Sequence, residues 1–433
     1  MDKGEFRFTG IVKSMNYVCV DLNERFTQIS YYNAGMKEPV TLSGKVGSSR
    51  YLISTAIQKK IGLGQWFFAD ETVVNSIVID RLLERALSNE ELICDGMAID
   101  AEQIFFIFIR KLLSLSSAAG CSKANSNYIF TVEKLEAGLV ELLERIRKQL
   151  EIPKQQFKIC SYEESFAHYV MNQDKNIWVN EVICFEFRDL HFKEYRLLLD
   201  KRMKPAILSV ETKINFAFEE MEQLQVQSTK DELFYQILQN SLNGRIVSGI
   251  YLVGEGFEGD WMDKSKPKLC QGRRVFVGQN LFSKGGCFYG LWEWTRNCKE
   301  EEITYLFLSD QKSKRNFCVM VHNKNLDASL PLLNAGENWQ DARGQMELIL
   351  ETNQEPVELK FALKDLMGTT VMEYQFQLDD FPLRPLKASR IRITAWMNER
   401  QDIHVRIEDC GFGYLYPSSN RVWEVIYEQM DQK

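Results

Sequence analysis

The sequence has few of the residues that build metal and disulfide sites. Its histidines are isolated, with no pair at metal-ligand spacing; the four are His168, His191, His322 and His404. The ten cysteines are scattered and include no CxxC pair. Short ligand spacings mark zinc sites, and dense cysteines mark disulfide frameworks, so neither class of site is predicted. We therefore expect reduced, mostly buried thiols, with Cys19 and Cys184 in the protein core.

Long uninterrupted apolar runs are also missing. The most apolar stretch, residues 99–119, contains Glu102, Gln103, Arg110 and Lys111. Four such side chains would be costly in a bilayer, so we expect a buried amphipathic helix there and no membrane span. The first ten residues have no apolar core after their basic residue, which predicts no signal peptide. The expected location is the cytoplasm.

The composition is that of a folded, mildly acidic protein. Hydrophobic residues make up 45% and charged residues 26% of 433 residues, and the formal net charge is -7. This length predicts two or three domains. Because nucleic-acid binding usually needs a strongly basic surface, we expect no nucleic-acid partner.

Two successive blocks of predicted elements follow one order: a strand hairpin, a third strand, a helix, a strand and a helix. They occupy residues 1–170 and 171–298. The alternation predicts two α/β domains, each built on a mixed sheet. Helices are expected over residues 75–92, 99–118, 133–150, 163–170, 213–242 and 283–294.

The third predicted domain, residues 299–433, differs in its pattern. Short β-branched and aromatic runs recur there with turn residues between them. This pattern predicts a small β-sandwich. The closing segment, Tyr416–Met430, is predicted to be a helix capped by Ser418 or Ser419.

Five segments carry a resemblance to a known superfamily through their order and spacing. They are YVCVDLNERFTQISYY (17–32), ICSYEESFAHYV (159–170), ICFEFRDLHFKEYRLLL (183–199), SGIYLVGEGFEG (248–259) and VFVGQNLFSKGGCFYGL (275–291). In this order they resemble the first phosphate hairpin, connecting helix, second phosphate hairpin, adenosine motif and last strand with its helix of the actin-like ATPase superfamily. Within it, the chain is most similar to the DnaK-type heat-shock chaperones. Residues 374–409 resemble the chaperones' substrate-binding β domain in their sequence pattern.

The resemblance implies an α/β plus β fold. A two-lobed actin-like body, which is a duplicated ribonuclease-H-like fold, would be followed by a β-sandwich-like C-terminal domain. It also implies a nucleotide site that would bind ATP or ADP with Mg²⁺. The matching positions are Asp21, Asn23, Glu186, Arg188, Gly254, Gly256 and Gly285. Asp21 stands at the family's acidic position and would be the catalytic residue if the protein were an ATPase.

The phosphate turns depart from the family pattern. Glycine normally lets backbone N–H groups close around a phosphate, but the first turn, residues 22–25, has none. The second turn, residues 186–190, also lacks glycine, and its Phe187 and Leu190 are expected to fill the space of a γ-phosphate. These departures predict a degenerate nucleotide site.

A second nucleotide motif is weaker. Residues 254–259 match GxGxxG after a predicted strand. The dinucleotide fingerprint requires a helix that opens at the last glycine, whereas residues 260–267 contain Pro267 and no apolar period. A glycine-rich turn is the simpler interpretation.

Three functions remain open. The favoured one is a non-catalytic scaffold, or a chaperone-like module that binds a protein or extended peptide through its C-terminal β domain. The second is an active Mg-ATP-dependent chaperone-type ATPase. The third is a cytoskeletal or membrane-complex assembly protein that uses the same frame for self-association.

Overall fold

The structure is a computed structural model. It describes residues 15–44, 51–62, 64–94, 96–223, 229–295, 305–323, 326–351 and 355–428. The N-terminal ten residues and Met430, the end of the predicted C-terminal helix, lie outside these ranges. The chain divides into two compact units, Met1–Phe307 and Leu308–Lys433. The fold is mixed α/β with many sheets.

The elements of the first unit are as follows. The strands of the two large sheets are β1 (Asn16–Asp21), β2 (Phe26–Asn33), β3 (Val40–Leu42), β4 (Ile53–Ser54), β10 (Ser126–Val132), β11 (Phe157–Ser161), β12 (Glu181–Arg188), β13 (His191–Asp200), β14 (Ala206–Asn215), β15 (Val247–Val253), β16 (Arg274–Val277) and β17 (Tyr305–Leu308). The small sheets contain β5 (Ile57–Lys60), β6 (Trp66–Phe68), β7 (Ser76–Ile79), β8 (Glu91–Cys94) and β9 (Met97–Asp100). The helices are α1 (Leu82–Leu87), α2 (Ala101–Ala118), α3 (Ala137–Gln149), α4 (Tyr162–Met171), α5 (Ala217–Gln223), α6 (Lys230–Leu242), α7 (Ser265–Cys270) and α8 (Leu281–Thr295).

The two large sheets share one topology. The first has the order β11-β10-β1-β2-β3, and the second has β16-β15-β12-β13-β14 with β17 added at its edge. In each sheet an antiparallel hairpin supplies the first two strands, and two later strands add in parallel beside the first. Strand β1 is buried along its whole length, as expected of a strand covered on both faces.

Helices α4 and α8 each follow the last of the parallel strands in their own sheet, and each packs on the other sheet. Tyr162 and Phe166 of α4 join Val182 and Cys184 of β12 in one buried cluster. Helix α8 packs against β1, β2 and β10 of the first sheet. The two helices also pack closely on each other: a Cβ built on Gly285 would lie 2.2 Å from the carbonyl oxygen of Ser165. This exchange joins the two sheets through shared cores.

Helix α2 matches the buried helix expected at residues 99–119. The Asp100 side chain caps its start by accepting a hydrogen bond from the Glu102 backbone N–H at 2.8 Å. Phe105, Phe108 and Leu112 are buried on one face. Across the described ranges, a search of the helices found none with the length and apolar character needed to cross a bilayer.

Two predicted helices are wrong in part. Within residues 75–92, Ile77 and Ile79 belong to β7, and only Leu82–Leu87 is helical. Ile77 and Ile79, two positions apart, share one face of a strand but would lie on opposite sides of a helix, and the left-handed Arg81 (φ 51°) separates the two elements. Within 213–242, the strand β14 continues to Asn215 before α5 begins.

The second unit is a β-sandwich. Its strands are β18 (Asn316–Asn323), β19 (Leu326–Leu333), β20 (Arg343–Leu350), β21 (Val357–Lys364), β22 (Thr370–Leu378), β23 (Ser389–Met397), β24 (Ile403–Asp409) and β25 (Val422–Tyr427). They form two antiparallel sheets, ordered β19-β18-β21-β22 and β20-β23-β24-β25. Both sheets contribute to one core that includes Phe317, Phe361, Ile391 and Val405.

The predicted C-terminal helix is wrong, because residues Val422–Tyr427 form the strand β25 paired with β24. Trp423, Val425 and Tyr427 alternate with the exposed Val422 and Ile426, which is the two-residue period of a strand. Instead of capping a helix, the backbone N–H of Ser419 donates a hydrogen bond to the carboxylate of Asp409, and the Ser418 hydroxyl donates to the Asp409 carbonyl oxygen.

Candidate functional site

Asp21 ends β1 beside the hairpin of the second sheet. Its side chain is 1% exposed. The Tyr162 hydroxyl, at the start of α4, donates a hydrogen bond to Asp21 Oδ1 at 2.6 Å. An Arg188 guanidinium nitrogen lies 3.9 Å from Asp21 Oδ2. The sheets therefore bring Asp21 and Arg188 together, although 167 positions separate them in the chain.

Arg188 is the central cation of this group. Its Nε lies 3.2 Å from Glu186 Oε1, and its guanidinium carbon lies 5.8 Å and 5.7 Å from the ring centroids of Tyr162 and Phe282. Tyr195 donates a hydrogen bond to Glu186 Oε2 at 2.8 Å. One largely buried cation, with its side chain 14% exposed, thus lies beside two buried carboxylates and over two aromatic rings.

Burial dominates the electrostatics of the group. Burial raises the pKa of Asp21 from 3.8 to about 6, and Glu186 adds to the increase, while Arg188 and the Tyr162 hydrogen bond oppose it. Burial alone would lower the pKa of Arg188, but the nearby carboxylates of Glu186 and Asp21 raise it above its ordinary value. Arg188 therefore stays charged and partly compensates both carboxylates.

A second group of ion pairs joins the two hairpin turns at the surface. Arg25 of the first turn lies 2.6 Å from Asp189 and 3.7 Å from Glu255. The Asp189 backbone N–H donates to Glu255 Oε1 at 3.1 Å, and Asn23 accepts a hydrogen bond from the Arg25 backbone N–H. Arg25 and Asp189 are more than half exposed, so this pairing is expected to contribute little stability.

An open pocket of about 450 Å³ lies beside these turns. Its lining includes Asn23, Arg25, Glu186, Arg188 and Glu255. Both charge signs are present, and the arginines Arg25 and Arg188 each lie beside carboxylates. These two arginines therefore offer no uncompensated positive charge to a phosphate.

Phe187 does not enter this pocket, so the expectation that it fills the phosphate space is wrong. Side chains alternate along a strand, and Phe187 faces the side opposite Glu186 and Arg188. It is 2% exposed and packs on Phe218 at 4.3 Å between ring centroids and on Phe257 at 5.8 Å. The side chain that enters the space beside Asp21 is Arg188.

The three predicted glycines lie against protein atoms. A Cβ on Gly254 (φ 109°) would lie 2.2 Å from the carbonyl oxygen of Phe187, and one on Gly256 would lie 2.3 Å from the Phe187 ring. Gly285 lies where α8 crosses α4. Close packing thus accounts for glycine at all three positions, and the structure does not bring Gly285 to the Asp21–Arg188 group.

The segment after Gly254 does not have the geometry of a dinucleotide motif. A single 3₁₀ turn spans Glu255–Phe257, and the next helix begins only at Ser265. Lys230 occupies the space beside this turn: its Nζ lies 4.1 Å from the Trp261 ring centroid and 4.8 Å from that of Phe187, and it donates a hydrogen bond to the Gly256 carbonyl oxygen. No helix N-terminus opens at Gly259, as that motif requires.

The hairpin turns lack one feature of the phosphate hairpins that they resemble. Neither turn has a glycine whose backbone N–H groups could close on a phosphate. A search of the residues that the structure describes found no group of three or more histidine, cysteine, aspartate or glutamate side chains placed to hold a metal ion.

Sequence reasoning missed the partners of Asp21 and Glu186. Tyr162 lies 141 positions from Asp21, and Asp189 lies 164 positions from Arg25. The spacing of neighbouring residues in the sequence does not indicate contacts between residues so far apart in the chain. The contact of Tyr195 with Glu186, only nine positions away, could have been predicted. A hairpin with its turn at residues 189–190 places both side chains on one face of the sheet.

Comparison with protein families gave two matches. The family described as "Family of unknown function (DUF5716) C-terminal" matches residues 38–310, and "Domain of unknown function (DUF8552)" matches residues 312–428. A comparison with curated proteins found no match. The first match covers more than half of the chain and includes β12 to β16 with Glu186 and Arg188. The chain therefore belongs to the DUF5716 family.

Proposed function

We propose that the first unit is a two-lobed actin-like body. Two observations support this proposal: the two large sheets share one strand order, and α4 and α8 are exchanged between them. A duplicated ribonuclease-H-like fold, implied by the sequence resemblance, would account for both. Within this frame, the ends of β1 and β12 correspond to the two phosphate hairpins.

We further propose that the nucleotide site of this body is degenerate and that the protein is a non-catalytic scaffold. The observation that carries the proposal is the position of Arg188, beside Asp21 and Glu186 and between the two hairpins. A cation of the chain itself lies where the resemblance would place Mg²⁺ and phosphate. Asp21 is consequently engaged with Tyr162 and Arg188 and is not free to orient a hydrated metal.

The energetics favour this interpretation over an active ATPase. To admit Mg-ATP, Arg188 would have to leave two buried carboxylates, and breaking a buried ion pair costs about 3–5 kcal/mol. Phosphoryl transfer depends almost entirely on positioned charges and backbone donors. A site without turn glycines would have few new contacts to offset that cost.

The scaffold is proposed to bind a protein or an extended peptide through the C-terminal unit. Strands β22 and β25 are sheet edges among the described strands, each paired on one side. An extended peptide can add to such an edge through backbone hydrogen bonds. Val422 and Ile426 of β25 are exposed on the outer face and would flank an added strand.

Isothermal titration with Mg-ATP and Mg-ADP tests the degenerate-site proposal. We expect no binding heat for the wild-type protein, nor for a control in which the exposed Arg202 is replaced (Arg202→Ala). Arg188→Gly, which removes the internal cation and adds a flexible turn residue, is the variant most able to gain binding. Micromolar binding by the wild type would overturn the proposal.

A further inference from the structure

The strand β22 is an unprotected edge of the C-terminal β-sandwich. Exposed edges pair readily with other strands, and proteins usually block them with lysine, proline or a β-bulge. Beyond an irregularity beside Lys364, β22 pairs regularly with β21 over residues Met372–Leu378. This segment contains no proline, glycine or lysine, and Glu373 is its one charged residue. Among the described strands β22 is paired on one side, so its outer edge is open to another strand.

The two edge strands on the opposite side of the sandwich, β19 and β20, are protected. Strand β19 contains Pro331, and its pairing with β18 shifts register at Cys318. Strand β20 lies against β19: a Cβ built on Gly344 would be 1.8 Å from the carbonyl oxygen of Leu332. These are the features that keep an edge from pairing with another molecule, and β22 lacks them over residues 372–378.

Half-buried apolar side chains line the side of the sandwich that β22 and β25 border. Met372, Tyr374 and Phe376 point inwards from β22 and are half-buried, whereas Phe361 of the neighbouring β21 is fully buried. The Tyr374 ring centroid lies 4.2 Å from that of Tyr427 in β25. The core is therefore incompletely covered on this side, and a further strand beside β22 would extend its cover.

The sequence of β22 is complementary to itself in the antiparallel direction. Antiparallel pairing centred on Gln375 overlaps Met372–Leu378 completely with a second copy of the same segment. This register opposes Met372 with Leu378, Tyr374 with Phe376, and Glu373 with Gln377. The first two pairs are apolar and face the core, and in the third the glutamine amide can donate to the carboxylate on the outer face.

The charges on the outer face of this sheet are compatible with that register. Strand β21 exposes Glu358 and Lys360, one of each sign, beside Gln377 and Gln375 of β22. The register centred on Gln375 places no two carboxylates directly opposite each other. A register centred one residue later, on Phe376, would oppose Glu373 with Asp379 and is disfavoured by repulsion.

We propose that β22 pairs antiparallel with β22 of a second copy of this chain, which joins two four-stranded sheets into one of eight strands. This pairing has a two-fold axis perpendicular to the sheet, so the inner faces of both copies lie on one side. The half-buried Tyr374 and Phe376 of one copy then pack against those of the other. The contact is isologous and uses the β22 of each copy once, so it closes at a dimer. The proposal goes beyond the scaffold function and assigns β22 to a second copy, while β25 stays the proposed peptide edge.

Charge at position 375 tests the proposed register, because Gln375 would lie opposite its own copy. Gln375→Lys and Gln375→Glu each place two like charges face to face, whereas a mixture of the two variants can pair lysine with glutamate. Gln345→Lys and Gln345→Glu are the matched controls, since Gln345 is an exposed glutamine of the edge strand β20. Both glutamines are exposed, so the fold should be preserved, and far-ultraviolet circular dichroism verifies this.

Sedimentation velocity on the full chain, from about 1 µM to about 1 mM, measures the association. A reductant is included because Cys270 is exposed. We expect the wild type and both Gln345 variants to form dimers and nothing larger. Each Gln375 variant alone should dimerise about tenfold more weakly, and their equimolar mixture should recover at least the wild-type affinity.

Three results would overturn the proposal. A monomeric wild type would show that β22 does not pair with a second copy, and β22 would then remain an edge available to a peptide. Dimerisation of equal strength in the wild type and both Gln375 variants would place the contact on another surface. A mixture of the Gln375 variants that dimerises no more tightly than either variant alone would refute the pairing of position 375 with itself.

Discussion

Tyr162 donates its hydroxyl hydrogen to the buried Asp21 carboxylate at 2.6 Å, which connects the start of α4 to the end of β1. Arg188 of the other sheet approaches the same carboxylate from a third element. Three parts of the first unit therefore converge on one buried charge, and the stability of the fold is coupled to the chemistry of the candidate site.

Removal of the tyrosine hydroxyl should destabilise the protein. Tyr162→Phe leaves the ionised Asp21 with one donor fewer, and loss of a hydrogen bond to a buried charge costs about 1.5–3 kcal/mol. Urea unfolding at pH 8 measures the change. Tyr251→Phe is the matched control, because the buried Tyr251 hydroxyl has no partner within the described ranges. Equal effects for the two substitutions would contradict the role of Tyr162.

Removal of the internal cation should have a larger effect. Arg188→Ala leaves Asp21 and Glu186 buried without their shared positive charge, which should cost about 3–5 kcal/mol. Arg202→Ala removes an arginine whose side chain is 89% exposed, and an effect below about 1 kcal/mol is expected. The comparison is made by urea unfolding at pH 8. Similar losses for both variants would show that Arg188 is not a buried, compensating charge.

The raised pKa of Asp21 predicts a specific pH dependence. The folded pKa is about 6 and the ordinary value is 3.8, so between these values the folded state binds the proton more tightly. The contribution of Asp21 to the free energy of unfolding is therefore greatest at low pH. It falls by about 3 kcal/mol in total as the pH rises through about 6.

Asp21→Asn isolates that contribution. The variant lacks the titrating group, so its stability relative to wild type should increase between pH 4 and pH 7, as measured by urea unfolding across this range. The opposite slope would mean that the Asp21 pKa is lowered by Arg188 and not raised by burial.

The crossing of α4 and α8 can be tested with glycine substitutions. Gly285→Ala places a methyl group 2.2 Å from the Ser165 carbonyl oxygen, so the helices must separate, at about 1–3 kcal/mol. Gly138→Ala in α3 is the control, since no atom lies within 4 Å of the added methyl group. This control should stabilise the chain by about 0.5–1 kcal/mol through helix propensity. Thermal unfolding of both variants gives the comparison, and a Gly285→Ala protein as stable as the wild type would refute the close crossing.

Much of the element pattern could be predicted from the sequence. The hairpin strands β12 and β13 and the helix α2 have strong periods of two or of three to four, and they lie where these periods indicate. The errors fall where two periods compete. Ile77 and Ile79 have the two-residue period of a strand, whereas Ile79, Leu82 and Leu83 have helical spacing. From Val422 to Tyr427 the alternation is that of a strand, although Ser418 and Ser419 before it are residues that commonly cap a helix.

The site was less accessible to sequence reasoning. Asp21, Glu186 and Arg188 could be named from the resemblance, but their contact depends on the pairing of distant strands. The choice of Phe187 as the blocking residue ignored strand alternation, which places Phe187 and Arg188 on opposite faces of the sheet. Tyr162 and Phe282 could only be found once the exchange of α4 and α8 was seen.

The central claim is that Arg188 takes the place of a bound nucleotide. A crystal structure of the protein soaked with Mg-ATP tests this claim most directly. The account predicts no triphosphate at the hairpin turns, with the Arg188 guanidinium still beside Asp21 and Glu186. Ordered triphosphate between residues 22–25 and 186–190, with Arg188 displaced from both carboxylates, would contradict it.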